Sequence, residues 1–322
     1  MDKTFTTPIL LITFNRPKHT RQVWDAIKKQ LPKYMYVFQD GPREGNETDK
    51  EKCSAVRAIF DEPLDWDCEI KTYYSDVNLG CGKGPVTGIS WFFENVEAGL
   101  IFEDDAVPHN DFFEYSAQLL EKYSNQKDIR AIGSMKIDRR EYGNNSYYFS
   151  MMNRNLCAWA TWRRAWEDFD YYLDKVSIKD LRKSLRNYSV SSKEILYWSE
   201  RIQEIHSDRL NESSWDIQFL ISIWLNKGMG ICPNVNLSSN IGFDSEGTHT
   251  TNLNNPAANL ETHPILPLTH PTKIKINRLS DLNYDKLYFQ PFEYGWSGIK
   301  RFPFRINRRL KLLLEKKGSW FK

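Results

Sequence analysis

Three consecutive carboxylates, Glu103-Asp104-Asp105, directly follow the apolar run Gly99-Leu100-Ile101-Phe102. Like charges repel, and the end of a buried strand is a costly place to hold them. A divalent cation removes that cost, because hard cations prefer oxygen ligands. Such a cation can in turn hold a diphosphate and stabilise it as a leaving group. A solvated acidic turn is the alternative for any acidic triplet. Here the apolar strand before it, with Pro108 and Asp111-Phe112-Phe113-Glu114-Tyr115 after it, weighs toward a site.

Other polar residues fall at comparable places. Asn15 and Arg16 follow the run Ile9 to Phe14, and Asp40 follows Tyr36-Val37-Phe38. A glycine cluster, Gly80, Gly82 and Gly84, carries Lys83 within it. The cluster is not the dinucleotide fingerprint, since Pro85 stands where the third glycine belongs, and no Gly-Lys-Ser/Thr follows to make a phosphate loop. Its plain role is a tight turn that lets the next helix come close. Lys83 can touch a phosphate there or simply be solvated.

The elements that must hold these residues read as alternating strand and helix. Ile9 to Phe14 is a continuous apolar run, as in a strand buried on both faces. Pro17 then opens a helix, where its missing N–H costs nothing. Strands are expected at Tyr36-Val37-Phe38, at Ile70 to Tyr74 and at Gly99 to Phe102, with a helix ending near Asn95. Asp111 and Glu114 have capping-box spacing for the next helix. Such repeated units predict an α/β fold, a mainly parallel sheet flanked by helices. Ligands in such sheets sit beyond the carboxyl ends of the strands, where Asn15, Arg16, Asp40 and the acidic triplet all fall.

With 322 residues the chain can bury a sizeable core, and its 40% hydrophobic and 27% charged residues are those of a soluble globular protein. No basic stretch followed by an apolar run opens the sequence, so no secretory signal is expected. The five cysteines (Cys53, Cys68, Cys81, Cys157, Cys232) are odd in number and lack metal-ligand spacing, which fits reduced thiols in a cytoplasmic protein. Net charge is +2, yet residues 299–322 hold nine Lys or Arg and one Glu, a net +8 that leaves −6 for the rest. That concentration argues against a general nucleic-acid binder. Phe302, Ile306, Leu310, Leu313 and Leu314 share one helical face opposite the basic residues. This describes an amphipathic helix lying on an anionic membrane or, alternatively, docked on the acidic body.

The segment Leu100 to Asp105 with Asp111 to Tyr115 resembles the signature region of the GT-A (nucleotide-diphospho-sugar transferase) glycosyltransferases. It is most similar to N-acetylglucosaminyltransferase I and to the bacterial HlpA-like group. The likeness extends to Asn78-Leu79-Gly80-Cys81-Gly82, to Ala158 through Trp166, to Asn240-Ile241-Gly242-Phe243 and to Gly247-Thr248-His249. The resemblance implies a GT-A domain over residues 1–298. Its nucleotide-sugar-binding part is 1–135, its acceptor-binding part 136–298, and residues 299–322 form the basic tail.

It also implies a metal-dependent inverting transferase that moves N-acetylglucosamine or another hexose from a UDP-sugar to a glycan or lipid-linked acceptor. The cysteines and the basic tail make the expected place cytoplasmic, peripheral on the inner face of the membrane where the tail binds it. Asp105 would be the ligand of Mn2+ or Mg2+, Asp104 would contact the ribose, and Glu103 the transferred sugar. Asn15 and Arg16 would lie by the diphosphate, and Asp40 would accept the uracil N3–H. A turn aspartate before Gly41 is the other reading of Asp40.

Inversion without a covalent intermediate needs a general base on the acceptor hydroxyl. Asp216, opening the apolar helix with Phe219, Leu220, Ile223 and Trp224, is the candidate, and an ordinary helix-start aspartate is its alternative. The polar stretch 238–255, with His249 near the phosphates or metal, reads as a lid or as a surface loop. Trp159, Trp162 and Trp166 line an acceptor groove or belong to the core. Two other functions stay open: a sugar nucleotidyltransferase, and a non-catalytic carbohydrate- or membrane-binding protein.

Overall fold

The computed structural model describes residues 4–151, 158–188, 192–207, 215–243 and 257–288. His249, Cys157, residues 244–255 of the polar stretch and the basic tail at 299–322 lie outside the described residues.

The first half alternates as expected. Strands β1 (Ile9–Thr13), β2 (Tyr34–Gln39), β3 (Glu69–Tyr74) and β4 (Ala98–Glu103) are linked by helices α1 (Pro17–Lys28), α2 (Glu47–Phe60) and α3 (Gly80–Asn95). A short β5 (Ala106–Pro108) and α4 (Asp111–Lys122) lead to β6 (Ile129–Gly133), β7 (Tyr147–Ser150) and β8 (Ala158–Trp162). Helices α5 (Arg163–Trp166), α6 (Ile178–Tyr188), α7 (Ser192–Ser207) and α8 (Asp216–Leu225) follow. β9 (Met229–Pro233), β10 (Ser238–Asn240) and α9 (Arg278–Tyr288) complete the described elements.

Eight strands form one sheet in the order β3-β2-β1-β4-β8-β6-β9-β7. The pairs β1–β2, β2–β3, β1–β4 and β6–β9 are parallel, whereas β8 lies antiparallel between β4 and β6, and β7 antiparallel to β9. The sheet is thus mainly parallel and continuous across residue 135. Because β8 runs against both neighbours, the carboxyl ends of β4 and β6 reach the same edge. A separate ribbon pairs β5 with β10 just beyond that edge.

Both faces are dry along β1, β2, β4, β6 and β8, which explains the unbroken apolar runs, while the edge strand β3 is largely exposed. Ile9, Leu11, Val37 and Phe102 pack with Trp24 and Ile27 of α1 and Phe112 and Phe113 of α4. Leu10, Ile12, Phe38 and Ile101 pack with Ile89, Phe92 and Phe93 of α3 and Phe219 and Ile223 of α8. A third cluster lies among α6, α7 and α8, around Leu181, Trp198, Ile202 and Trp224.

Three expectations need correction. The glycine cluster is no loop before the helix: Gly80 begins α3, and Gly84 and Gly88 face β2, where a Cβ would stand 3.2 Å from Asp40 Oδ2 and 2.6 Å from the Phe38 ring. Glycine there lets the helix lie directly on the strand. The tryptophans are core residues, and Trp162 also reaches the wall of a depression at the amino ends of β1 and β4. Trp159 stacks on Trp215 at 5.7 Å, Trp166 meets Phe219 at 5.4 Å, and the Trp162 indole donates to the Leu120 carbonyl at 3.1 Å. Trp159 and Trp162 are three residues apart on a strand, so they enter opposite buried faces. Finally, Asn110 holds the N-cap position of α4 without a side-chain capping bond, and the Asp111 carboxylate accepts the N–H groups of Ile265 and Leu266 at 2.8 and 3.1 Å.

One buried carboxylate sets a pH dependence. Asp281 in the first turn of α9 is 1% exposed; its Oδ1 accepts Ser150 Oγ–H at 2.7 Å and the Met151 N–H at 3.3 Å, and its Oδ2 has no hydrogen-bond partner among the described residues. Burial pushes its pKa up to about 6. The folded state therefore binds this proton more tightly than the unfolded chain does. The resulting stabilisation is full below the ordinary carboxylate range and is lost as pH rises through about 6. Relative to Asp281→Asn, the wild-type chain should lose roughly 2–3 kcal/mol of unfolding free energy between pH 4 and pH 8. Urea titrations of both proteins across that range check it, and parallel curves would exclude it.

Candidate active site

The carboxylates stand where β4 leaves the sheet. Glu103 is its last residue, and Asp104 and Asp105 make the turn into β5. Beside β4, β1 ends at Thr13 and hands over to α1, whose N-cap is Arg16. Adjacent parallel strands thus bring an acidic turn against a basic helix start.

The two halves meet in an ion pair. Arg16 Nη2 donates to Asp104 Oδ1 and, at 3.0 Å, to Asp105 Oδ2, while Arg16 Nε lies 3.4 Å from Asp104 Oδ2. Asp104 and Asp105 are 4% and 7% exposed. Burial works against the charge on Arg16, but Asp104 and Asp105 outweigh it and raise the guanidinium's pKa. Burial also raises the Asp104 carboxyl, with the Arg16 charge opposing it. Glu103 is pushed well above the usual carboxylate range, by burial first and then by Asp105 and Asp104, with Arg16 opposing and Asp216 adding to the rise. Asp216, in the first turn of α8, is thus near enough to act on Glu103 electrostatically.

Asp105 Oδ1 is buried and has no hydrogen-bond partner among the described residues. A buried carboxylate oxygen without a donor is expensive and calls for a cation or a ligand group. The main chain of the ribbon closes on the other oxygen. Ile241 N–H donates to the Asp105 carbonyl at 2.9 Å, and a Cβ at Gly242 would collide with Asp105 Oδ2 and come within 3.0 Å of Arg16 Nη1. Only glycine fits there. No group of three or more His, Cys, Asp or Glu is gathered as a metal site among the described residues. A cation at Asp105 would therefore take most of its ligands from a bound molecule or from water.

The ribbon also fixes the ends of the polar stretch. Ala258 bridges to Asn240, and Asn259 N–H donates to the Asn240 carbonyl at 3.0 Å. The described segments that flank 244–256 are therefore paired with each other at this ribbon.

Asp40 sits at the carboxyl end of β2, and its lone pairs are taken. Oδ1 accepts the N–H groups of Gly41 and Leu79 at 2.9 and 2.7 Å; Oδ2 accepts those of Gly80 and the Asn78 side chain at 2.9 and 3.2 Å. A carboxylate offers about four such places. To accept a uracil N3–H, Asp40 would have to give up one of these bonds. As it stands it braces the start of α3 against β2, and burial holds its pKa up despite the donors. Asn15 is similarly engaged, its amide donating to Asp49 Oδ1 at 2.7 Å, where Arg43 holds the Asp49 carboxyl down to about 2. Lys83 is exposed and lies 5.8 Å from the Tyr172 ring.

His19 was not expected. It is buried on α1, and its charge would favour ionised Asp104. The available signal was its i,i+3 spacing from Arg16 at a helix start, which places both on one face.

A larger depression of about 1250 Å³ opens elsewhere, lined by Thr6, Pro8, Glu97, Ala98 and Arg164. It lies at the amino ends of β1 and β4, away from the carboxylates.

The sequence matches no protein-family model and no curated protein. Loose similarities to solved structures exist. The 4-diphosphocytidyl-2C-methyl-D-erythritol synthase of Anaerococcus prevotii is 11% identical with a TM-score of 0.35, covering 62% of this chain and 99% of that one. Mouse xyloside xylosyltransferase 1 is 9% identical with a TM-score of 0.32, covering 69% and 83%. Galactosyltransferase LgtC, solved with donor and acceptor sugar analogs, is 11% identical with a TM-score of 0.36, covering 79% and 84%. Superpositions this loose carry no statement about what this chain does.

Proposed function

We propose that the chain is a metal-dependent glycosyltransferase of the GT-A type that moves a hexose or N-acetylhexosamine from a UDP-sugar to an acceptor hydroxyl with inversion. The observation that carries the reading is the acidic turn after β4, with one buried Asp105 oxygen left without a partner and Arg16 set against it. The residue-by-residue resemblance around the turn and around Asn78–Gly82 supports it.

A bound Mn2+ or Mg2+ would supply charge neutralisation to the departing diphosphate. Asp105 would hold that ion, with His249 a further candidate, and Arg16 would bind the diphosphate with its planar fork. Glu103, its carboxyl raised well above the usual range by burial and by Asp105 and Asp104, would hydrogen-bond a hydroxyl of the transferred sugar. Asp216 would take the proton from the attacking hydroxyl.

A panel of nucleotide-sugars incubated with the full chain and Mn2+ or Mg2+ tests this directly. Release of UDP that stops on adding a chelator is the expected result. Pyrophosphate-linked synthesis of a nucleotide-sugar from a sugar phosphate and UTP would instead make the chain a nucleotidyltransferase. Absence of turnover with every donor and acceptor would leave a binding protein.

A further inference from the structure

We infer that Arg16 holds the place of the cation in the unliganded protein, and that cation and diphosphate bind cooperatively because the diphosphate draws Arg16 off Asp105. This rests on the nucleotide-sugar reading above and adds an exchange step to it.

The geometry makes Arg16 the counter-ion of the turn. One nitrogen, Nη2, is shared between Asp104 Oδ1 and Asp105 Oδ2, so a single guanidinium serves as counter-ion to both carboxylates. It does so incompletely, since Asp105 Oδ1 has no donor. The site is therefore one in which positive charge is present but under-supplied.

The partners differ in their freedom to move. The Asp105 carbonyl is held by Ile241 N–H, and the Gly242 main chain closes against Asp105 Oδ2. The Asp104 and Asp105 side chains are 5% and 10% exposed, against 17% for Arg16. Arg16 stands at the N-cap of α1, where its side chain makes no capping bond. It can swing outward while the carboxylates stay.

A divalent cation at Asp105 would meet a guanidinium 3.0 Å from the same carboxylate oxygen. Two positive charges held by one carboxylate in a buried site repel strongly, so the cation is disfavoured while Arg16 remains. A diphosphate offers the guanidinium a stronger, bidentate partner. Once Arg16 turns to it, the Asp105 carboxylate faces the ion without a competing cation. Each ligand thus removes an obstacle to the other, and by linkage the effect is reciprocal.

The test measures Mn2+ binding to the full chain by the electron paramagnetic resonance signal of free Mn2+, with and without saturating UDP. For the wild-type chain, Mn2+ alone should bind weakly, and UDP should tighten it on the order of tenfold or more. In Arg16→Met, Mn2+ alone should bind roughly tenfold more tightly, UDP alone more weakly, and the ratio linking them should shrink. Arg16→Gln, neutral but still able to donate to the carboxylates, should move Mn2+ affinity the same way and serves if Arg16→Met does not fold. Mn2+ affinity without UDP that is unchanged or weaker in the folded neutral variant overturns the exchange alone. A wild-type chain that binds neither Mn2+ nor UDP, singly or together, overturns the nucleotide-sugar reading and the exchange with it.

Discussion

Asp105→Ala is expected to fold normally and to lose on the order of three decades of UDP-sugar turnover, the scale of several kcal/mol of leaving-group stabilisation. The two halves of that expectation come from the same geometry. Asp105 is buried with one oxygen unpartnered, so its removal relieves a desolvation cost while Arg16 keeps Asp104. Deleting one of two carboxylates around a single guanidinium does not orphan the guanidinium, the outcome that makes broken buried pairs costly. The melting temperature should therefore stay level or rise as activity falls. Asp105→Asn, which keeps the volume and one acceptor but removes the charge, should be nearly as inactive. Near-normal turnover in Asp105→Ala, still dependent on added metal, would remove Asp105 from the metal-binding role.

The positions of β1 to β4 and the edge at which Arg16 and the acidic turn meet could be read from residues alone. Buried parallel strands need apolar residues on both faces, and such runs, broken by Asn-Arg-Pro or Asp-Gly-Pro, stand out against any background. The acidic triplet was legible for the same reason, because charge directly after such a run is expensive. The second half of the sheet was not. β8 enters between β4 and β6, and Phe102 pairs with Ala158. Local periodicity holds no record of which distant strand a segment will join.

Individual side chains divided along a similar line. A residue type shows what a group can do but not who already occupies it. Asp40 has the acceptor oxygens a uracil would need, yet four donors from Gly41, Asn78, Leu79 and Gly80 reach them first, three of them from a turn nearly forty residues on. Asn15 is claimed by Asp49, and the tryptophans by the core. Gly242 is the reverse case. Nothing in its sequence neighbourhood shows that its missing side chain makes room for Asp105, since that contact arises only when β10 pairs with β5.

Asp216→Asn separates the two readings of the residue that opens α8. As a general base, Asp216 would lose its proton acceptor while keeping shape, so transfer should fall by roughly two to four decades with UDP affinity intact. As a helix-start aspartate, it contributes about 0.3–1 kcal/mol through the helix dipole, and the variant should lose only that stability while turning over normally. Trp215 occupies the N-cap, so Asp216 stands in the first turn of α8, near enough to Glu103 to act on it electrostatically. Donor hydrolysis by water gives a further discrimination, because a base acting on the acceptor hydroxyl can also act on a water in its place. In Asp216→Asn, hydrolysis and transfer should therefore fall together. If UDP binding is lost instead, Asp216 belongs to the donor side, and the base must be sought elsewhere around the turn.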